Sequence, residues 1–123
     1  MSTDRTDPMP AGETPSPGVR IAAANIYLAR EICDTFFPGI ASVALVAREV
    51  RLLVVPVVQD SAGGTLLKVR NRHGDRVIHA QEFFRDKGFA EDALEQAVKA
   101  SWSPESAALV LDGVRRASAR MQT

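Results

Sequence analysis

Residues 65–84, T-L-L-K-V-R-N-R-H-G-D-R-V-I-H-A-Q-E-F-F, hold most of what could do chemistry in this chain. Lys68, Arg70, Arg72 and Arg76 flank a tight-turn signal at His73-Gly74-Asp75, and His79 follows on the returning arm. With only Asp75 to oppose the four cations, the local charge is about +3. A two-stranded ribbon carrying that charge can lie against a phosphate backbone or enter a major groove. Arg72 and Arg76 can each offer a guanidinium fork to phosphate or carboxylate. The candidate ligand or nucleic-acid-binding residues are therefore Lys68, Arg70, Arg72, His73, Arg76 and His79. Two points oppose this reading. Long charged side chains also occupy solvent-facing strand positions simply because they discourage edge-to-edge aggregation. The ribbon also lacks an aromatic for stacking bases, since Phe83 and Phe84 fall beyond it.

The two histidines, with Asp75 and Glu82 nearby, allow a metal site to be drawn. Structural zinc needs four ligands at recognisable spacings and catalytic zinc needs three plus water, and no cysteine pair is present to supply them. His79-x-x-Glu82 matches neither the zincin pattern nor the paired motif of di-iron bundles. The chain has no G-x-S-x-G elbow, no Walker-type loop and no G-x-G-x-x-G. Gly63-Gly64 reads as a hairpin turn. No catalytic residue, metal ligand or cofactor is assigned, and a small enzyme or metal site using His73 and His79 ranks third among the functional readings.

These side chains need a scaffold, and 123 residues with 46% hydrophobic and 24% charged composition are enough for one globular domain. Fifteen basic residues balance fifteen acidic ones, so any anion recognition must rest on a local patch. The single cysteine, Cys33, excludes an internal disulfide and suits a reducing, cytoplasmic compartment. Residues 40–58 are long and apolar enough to be tested as a membrane span. Arg48, Glu49 and Arg51 sit at the centre, where each charge costs about 2.5–3.5 kcal/mol, so the segment reads as protein core and no membrane contact is expected.

Residues 1–18 hold four of the seven prolines among polar residues and read as a disordered tail, leaving 19–123 as one domain. Ile21, Leu28, Ile32 and Phe36 recur at helical spacing, which predicts an N-terminal helix stopped at Phe37-Pro38-Gly39. Ser42–Ala47 and Leu52–Val58 read as strands around a polar break, with Pro56 marking an edge or bulge. Thr65–Arg70 and Arg76–Ala80 form the next two strands, with Lys68, Arg70 and Arg76 gathered on the solvent side. Gln81–Lys87 reads as a short helix closed by Gly88, Glu91–Ser101 as an amphipathic helix, and Ser103-Pro104-Glu105 as the start of another.

The expected architecture is thus α+β: an N-terminal helix, a three- to four-stranded mostly antiparallel sheet, then two or three C-terminal helices on one face. A first helix with so wide an apolar stripe implies a protein partner or self-association, with Leu28, Ile32 and Trp102 as candidate interface residues. The first functional expectation is a small non-catalytic binding or assembly module. Nucleic-acid binding through residues 68–76 is the alternative.

Overall fold

The computed structural model describes residues 18–57, 64–91, 95–96 and 98–117. Residues 1–17 of the expected tail lie outside them. The protein is mostly β, which overturns the expected α+β layout. Strands β1 (Val19–Ala22) and β2 (Asn25–Leu28) lead into helix α1 (Arg30–Phe36). Strands β3 (Ser42–Arg48), β4 (Arg51–Val57), β5 (Thr65–Leu66), β6 (Lys68–Val69) and β7 (Arg76–His79) follow. Helix α2 (Gln81–Lys87) precedes β8 (Lys99–Ser103) and β9 (Ala108–Asp112). One sheet has the order β1-β2-β7-β6 and the other β5-β3-β4-β9-β8. All the pairings are antiparallel.

The N-terminal helix is replaced by a hairpin. Val19 and Ile21 alternate with exposed-side residues on β1, and Ile26 and Leu28 do the same on β2, so the apolar set has a period of two. Ala23 and Ala24 make the connection with φ of 50° and 64°, the left-handed geometry of a two-residue type I′ loop. That turn ordinarily uses Asn and Gly, which is why two alanines gave no signal. Tertiary bonds hold it: the Ala80 N–H donates to the Ala24 carbonyl at 3.0 Å, and Gln81 Nε2 donates to the Ala23 carbonyl at 3.4 Å.

The two sheets are joined at both borders. Thr65-Leu66 pairs with β3, and Lys68-Val69, one residue later, pairs with β7. Between them Leu67 turns inward, and its N–H donates to the Ala41 carbonyl at 2.9 Å. At the other border Ile21 bridges to Gln96, just before β8, through a 2.7 Å bond from the Gln96 N–H to the Ile21 carbonyl. The strands thereby wrap around one core that includes Ile21, Ile26, Ile78, Val43, Val54 and Leu111. Antiparallel wrapping of this kind leaves few free edges.

The helices serve the core. Phe84 of α2 is fully buried and meets Phe89 edge-on at 5.4 Å. Gly88 ends α2 in the left-handed conformation, as the sequence suggested. On α1, Phe36 stacks on Trp102 at 5.3 Å and 7°, and Phe37 meets the same indole edge-on. Pro56 follows the sequence argument in a modified form. Strand β4 is central, but its pairing with β9 ends at Val54, so the missing N–H of Pro56 falls beyond the last partner on that side.

The expected C-terminal helices are absent from the described residues. Lys99–Ser103 and Ala108–Asp112 form a hairpin joined by a turn over 104–107. Ser103 Oγ accepts the Ser106 N–H at 3.2 Å, so the presumed helix cap caps a turn instead. The helical spacing of Ala107, Leu111 and Val114 coincided with inward alternation at Leu109 and Leu111. Residues 92–94, 97 and 118–123 of the two predicted helices lie outside the described residues.

An exposed L-residue at positive φ is strained, whereas glycine is not. Ala23→Gly is therefore expected to stabilise the fold by about 0.5–1 kcal/mol in denaturant unfolding. Ala24→Gly should destabilise it, because Ala24 is fully buried in the core.

Candidate interaction surfaces

The basic hairpin exists, but its register redistributes the cations. Lys68 pairs with Val77 and Val69 with Arg76, so Lys68 and Arg76 lie on opposite faces. The expectation that Arg76 joins Lys68 and Arg70 on the solvent side is corrected. The Arg76 guanidinium instead turns back to the Gly74 carbonyl within its own loop. Asn71 organises that loop. Its Oδ1 accepts the His73 N–H at 3.0 Å and the Asp75 N–H at 3.2 Å, and its Nδ2 donates to Asp75 Oδ2 at 3.0 Å. Gly74 has φ +91°, and a Cβ there would come within 3.0 Å of Arg30 Cδ.

Asp75, read from sequence as the acid opposing the ribbon's charge, is used by the scaffold. Its Oδ1 accepts the Arg30 N–H at 2.9 Å, capping α1 from 45 residues away where Ala29 supplies no side chain. The Asn71 hydrogen bond, then the Arg30 N–H, hold its carboxyl below the ordinary carboxylate range. Arg70, Arg72 and Lys68 remain exposed, and His73 is exposed at the turn.

The neighbouring strand adds what the ribbon lacked. Across the four-stranded sheet, Arg20, Tyr27, Val77 and Lys68 form one outward row through the registers of β1, β2, β7 and β6. The Arg20 guanidinium lies 4.7 Å from the Tyr27 ring centre and that of Arg70 lies 4.9 Å from it. A cleft of about 200 Å³ runs beside them, lined by Gly18, Arg20, Tyr27, Ala29, Arg70 and Asp75. Nothing local in the sequence singles out Arg20 and Tyr27, because their segment also fits a helical period. With strand periodicity in that segment, their pairing would have been legible.

His79 stands apart from this cluster, on the outward row Ala22–Asn25–His79. Its Nδ1 lies 3.0 Å from Asn25 Oδ1, which also accepts from Gln81 Nε2 at 3.2 Å. His79 borders an open groove of about 860 Å³ against α2, with Leu45, Glu82, Phe83 and Asp86. Among the described residues no group of three His, Cys, Asp or Glu side chains is placed to hold a metal ion. Burial pushes the Cys33 thiol up to about 11, so it is a protonated core residue at neutral pH.

The three candidate interface residues sit inside the molecule to different degrees. Leu28 is a core residue of β2, Ile32 is half-buried on α1, and Trp102 is engaged by Phe36 and Phe37. Leu28 and Ile32 do not share a helix.

A different apolar surface emerges on the five-stranded sheet. Its inward residues, including Leu45, Ala47, Leu52, Val54, Leu109 and Trp102, belong to the core or pack on it. Ala44, Val46, Leu53, Val55 and Val110 alternate with these on the outer face, half-buried except for Leu53, which is buried. Register aligns Val46, Leu53 and Val110 in one row, with Ser101 at its end. The adjoining row is charged: Arg48, Arg51, Asp112 and Lys99. Arg51 Nε lies 3.6 Å from Asp112 Oδ2.

No protein-family model, curated protein or solved structure matches this chain. Fold and surfaces together define a small, wrapped antiparallel β protein with one basic-aromatic face and one aliphatic face. Among the described residues no helix is long and apolar enough to cross a membrane.

The depressed carboxyl of Asp75 carries a pH dependence. A carboxylate whose pKa is lower folded than unfolded stabilises the protein above its unfolded value, 3.8, and loses that contribution as pH falls through the folded value. Asp75→Asn should lower the melting temperature at neutral pH. The gap to the parent protein should narrow steadily below pH 3.8, as followed by circular dichroism.

Proposed function

We propose that the chain is a non-catalytic cytoplasmic assembly module that self-associates through the outer face of its five-stranded sheet. The observation that carries this reading is the row Val46–Leu53–Val110, aliphatic on the outer parity of a sheet already apolar within, with Val46 and Val110 half-buried on either side of a buried Leu53. An antiparallel sheet with only one face to bury alternates apolar with polar residues. Here the sequence of β3 and β4, S-V-A-L-V-A-R and R-L-L-V-V-P-V, is apolar at both parities. An aliphatic centre bordered by a charged row has the anatomy of a protein interface.

The partner that fits is a second copy. A two-fold axis along the strand direction, between β4 and β9, maps each row onto itself in reverse. Leu53 then faces the partner's Val110, and Arg51 faces the partner's Asp112, with both contacts made twice. The chain's zero net charge leaves no long-range repulsion between copies. Sheet-on-sheet packing of this kind keeps strand directions within about 30°. The buried thiol of Cys33 is consistent with a reducing compartment.

Light scattering coupled to size exclusion tests this. The expected mass is twice the 13.3 kDa of one chain. Val110→Lys should shift the species to monomer without loss of the β-sheet circular dichroism signal. Arg51→Asp alone should weaken association, and Arg51→Asp with Asp112→Arg should restore it. A folded parent protein that stays monomeric up to about 100 μM, well above the Kd of a dimer held by about −8 kcal/mol, would overturn the reading.

A further inference from the structure

The opposite face of the molecule points to a separate binding activity. We propose that the outer face of the four-stranded sheet binds single-stranded nucleic acid, with Tyr27, Arg20 and Arg70 as its centre and Lys68 and Arg72 along the path of the backbone.

The geometry is compact. Arg20 reaches the Tyr27 ring from β1, on one side of β2, and Arg70 reaches it from the end of β6, beyond β7 on the other side. Both guanidinium groups lie over the Tyr27 ring, so an incoming base either stacks on a guanidinium face or takes the place of one on the ring, and guanidinium faces stack on bases as aromatic rings do. Lys68 shares the outward row, and Arg72 lies in the loop that follows Arg70. The four cations are opposed weakly. Arg20 meets Glu95 only at 4.0 Å, with the Arg20 side chain partly and that of Glu95 mostly in solvent. The Asp75 carboxylate, held by the Arg30 N–H and by Asn71, stays ionised and offsets part of the Arg70 charge, so Lys68 and Arg72 supply most of the net positive charge on the path.

The arrangement suits a flexible strand better than a duplex. A major-groove ribbon needs cations projecting from both arms of a protruding hairpin. In this hairpin the returning arm contributes none, because Arg76 is on the other face and bound to its own loop. What the surface offers is a shallow cleft of about 200 Å³ beside a ring, flanked by cations at intervals along a strand row. Such a platform engages an unstacked base and its flanking phosphates, and in a duplex the bases are already stacked on each other. Zero net charge on the whole chain means that affinity depends on this face alone.

Fluorescence anisotropy with a labelled mixed-sequence oligonucleotide of about 12 nucleotides, sized to the site of one small binding fold, tests the proposal on the full chain. With four phosphate contacts, the slope of log affinity against log salt should be about −3, and Arg72→Ala should reduce its magnitude by about 0.7. Tyr27→Ala and Arg70→Ala should each weaken binding about tenfold, whereas Tyr27→Phe should retain it, because stacking uses the ring. Arg48→Ala, on the other sheet, should change nothing. An equivalent duplex should bind about tenfold less tightly or worse. Unchanged melting temperatures would show that the variants fold. Absence of binding at about 50 mM salt would overturn the proposal. So would equal losses from Arg48→Ala and Arg70→Ala, a preference for duplex, or binding indifferent to Tyr27→Ala in a folded variant.

Discussion

The register of β1, β2 and β7 is the constraint on which the rest of the molecule depends. In a strand, a one-residue slip moves every side chain to the other face. The two-residue loop at Ala23-Ala24 sets Ile21 opposite Ile26, and Ile26 in turn opposite Ile78, so the three isoleucines form one fully buried row. The same parity sends Arg20, Tyr27, Val77 and Lys68 outward together. Core and candidate site are therefore two consequences of one turn. The strain of two left-handed alanines is small beside the burial of that row, where each large aliphatic side chain contributes about 1.5–3 kcal/mol.

Joining the sheets at both borders gives the fold its second property. Leu67 turns inward between β5 and β6 while the residues that flank it, Leu66 and Lys68, face solvent, with Leu66 60% exposed. The loop from β6 to β7 is held rigidly by Asn71, and through Asp75 it caps α1, whose aromatic residues grip Trp102. This chain of contacts links the basic hairpin to the far sheet. It explains why the acid nearest the cations serves structure. A parallel clamp closes the other end. The Arg116 guanidinium donates to the Glu49 and Lys87 carbonyls and lies 5.0 Å from the Phe89 ring centre.

The parts of this that were legible in the sequence are those written in local chemistry. The β3–β4 pair, the hairpin around His73-Gly74-Asp75 and the α2 helix with its Gly88 stop follow from β-branched runs, a glycine turn and a left-handed cap. The first segment is ambiguous in sequence, because Ile21, Leu28, Ile32 and Phe36 fit a helical period while Val19, Ile21, Ile26 and Leu28 fit a strand period, and two alanines occupy the turn where glycine or asparagine would mark it. The C-terminal hairpin was missed for a similar reason: Ser103-Pro104-Glu105 is good chemistry for a turn as well as for a helix start. Of the site, the cations of the hairpin were visible. Tyr27 and Arg20 depended on long-range pairing, and so did the outward aliphatic row, which becomes apparent only once Val46, Leu53 and Val110 are aligned across three strands.

The central claim is that the aliphatic face of the five-stranded sheet is an interface between copies. Its most direct measurement is an intermolecular distance from a spin label at position 101, exposed at the end of the aliphatic row, in a Cys33→Ala background, read by pulsed dipolar spectroscopy on a variant that keeps the parent's molar mass. Sheets stacked face to face lie about 10 Å apart, so two labels on the outer strands of the paired sheets should give a narrow distribution at about 20–30 Å. A label at position 68, on the opposite sheet, should give only longer distances in the same protein. The absence of dipolar modulation at position 101, or a shorter distance at position 68, would contradict the account.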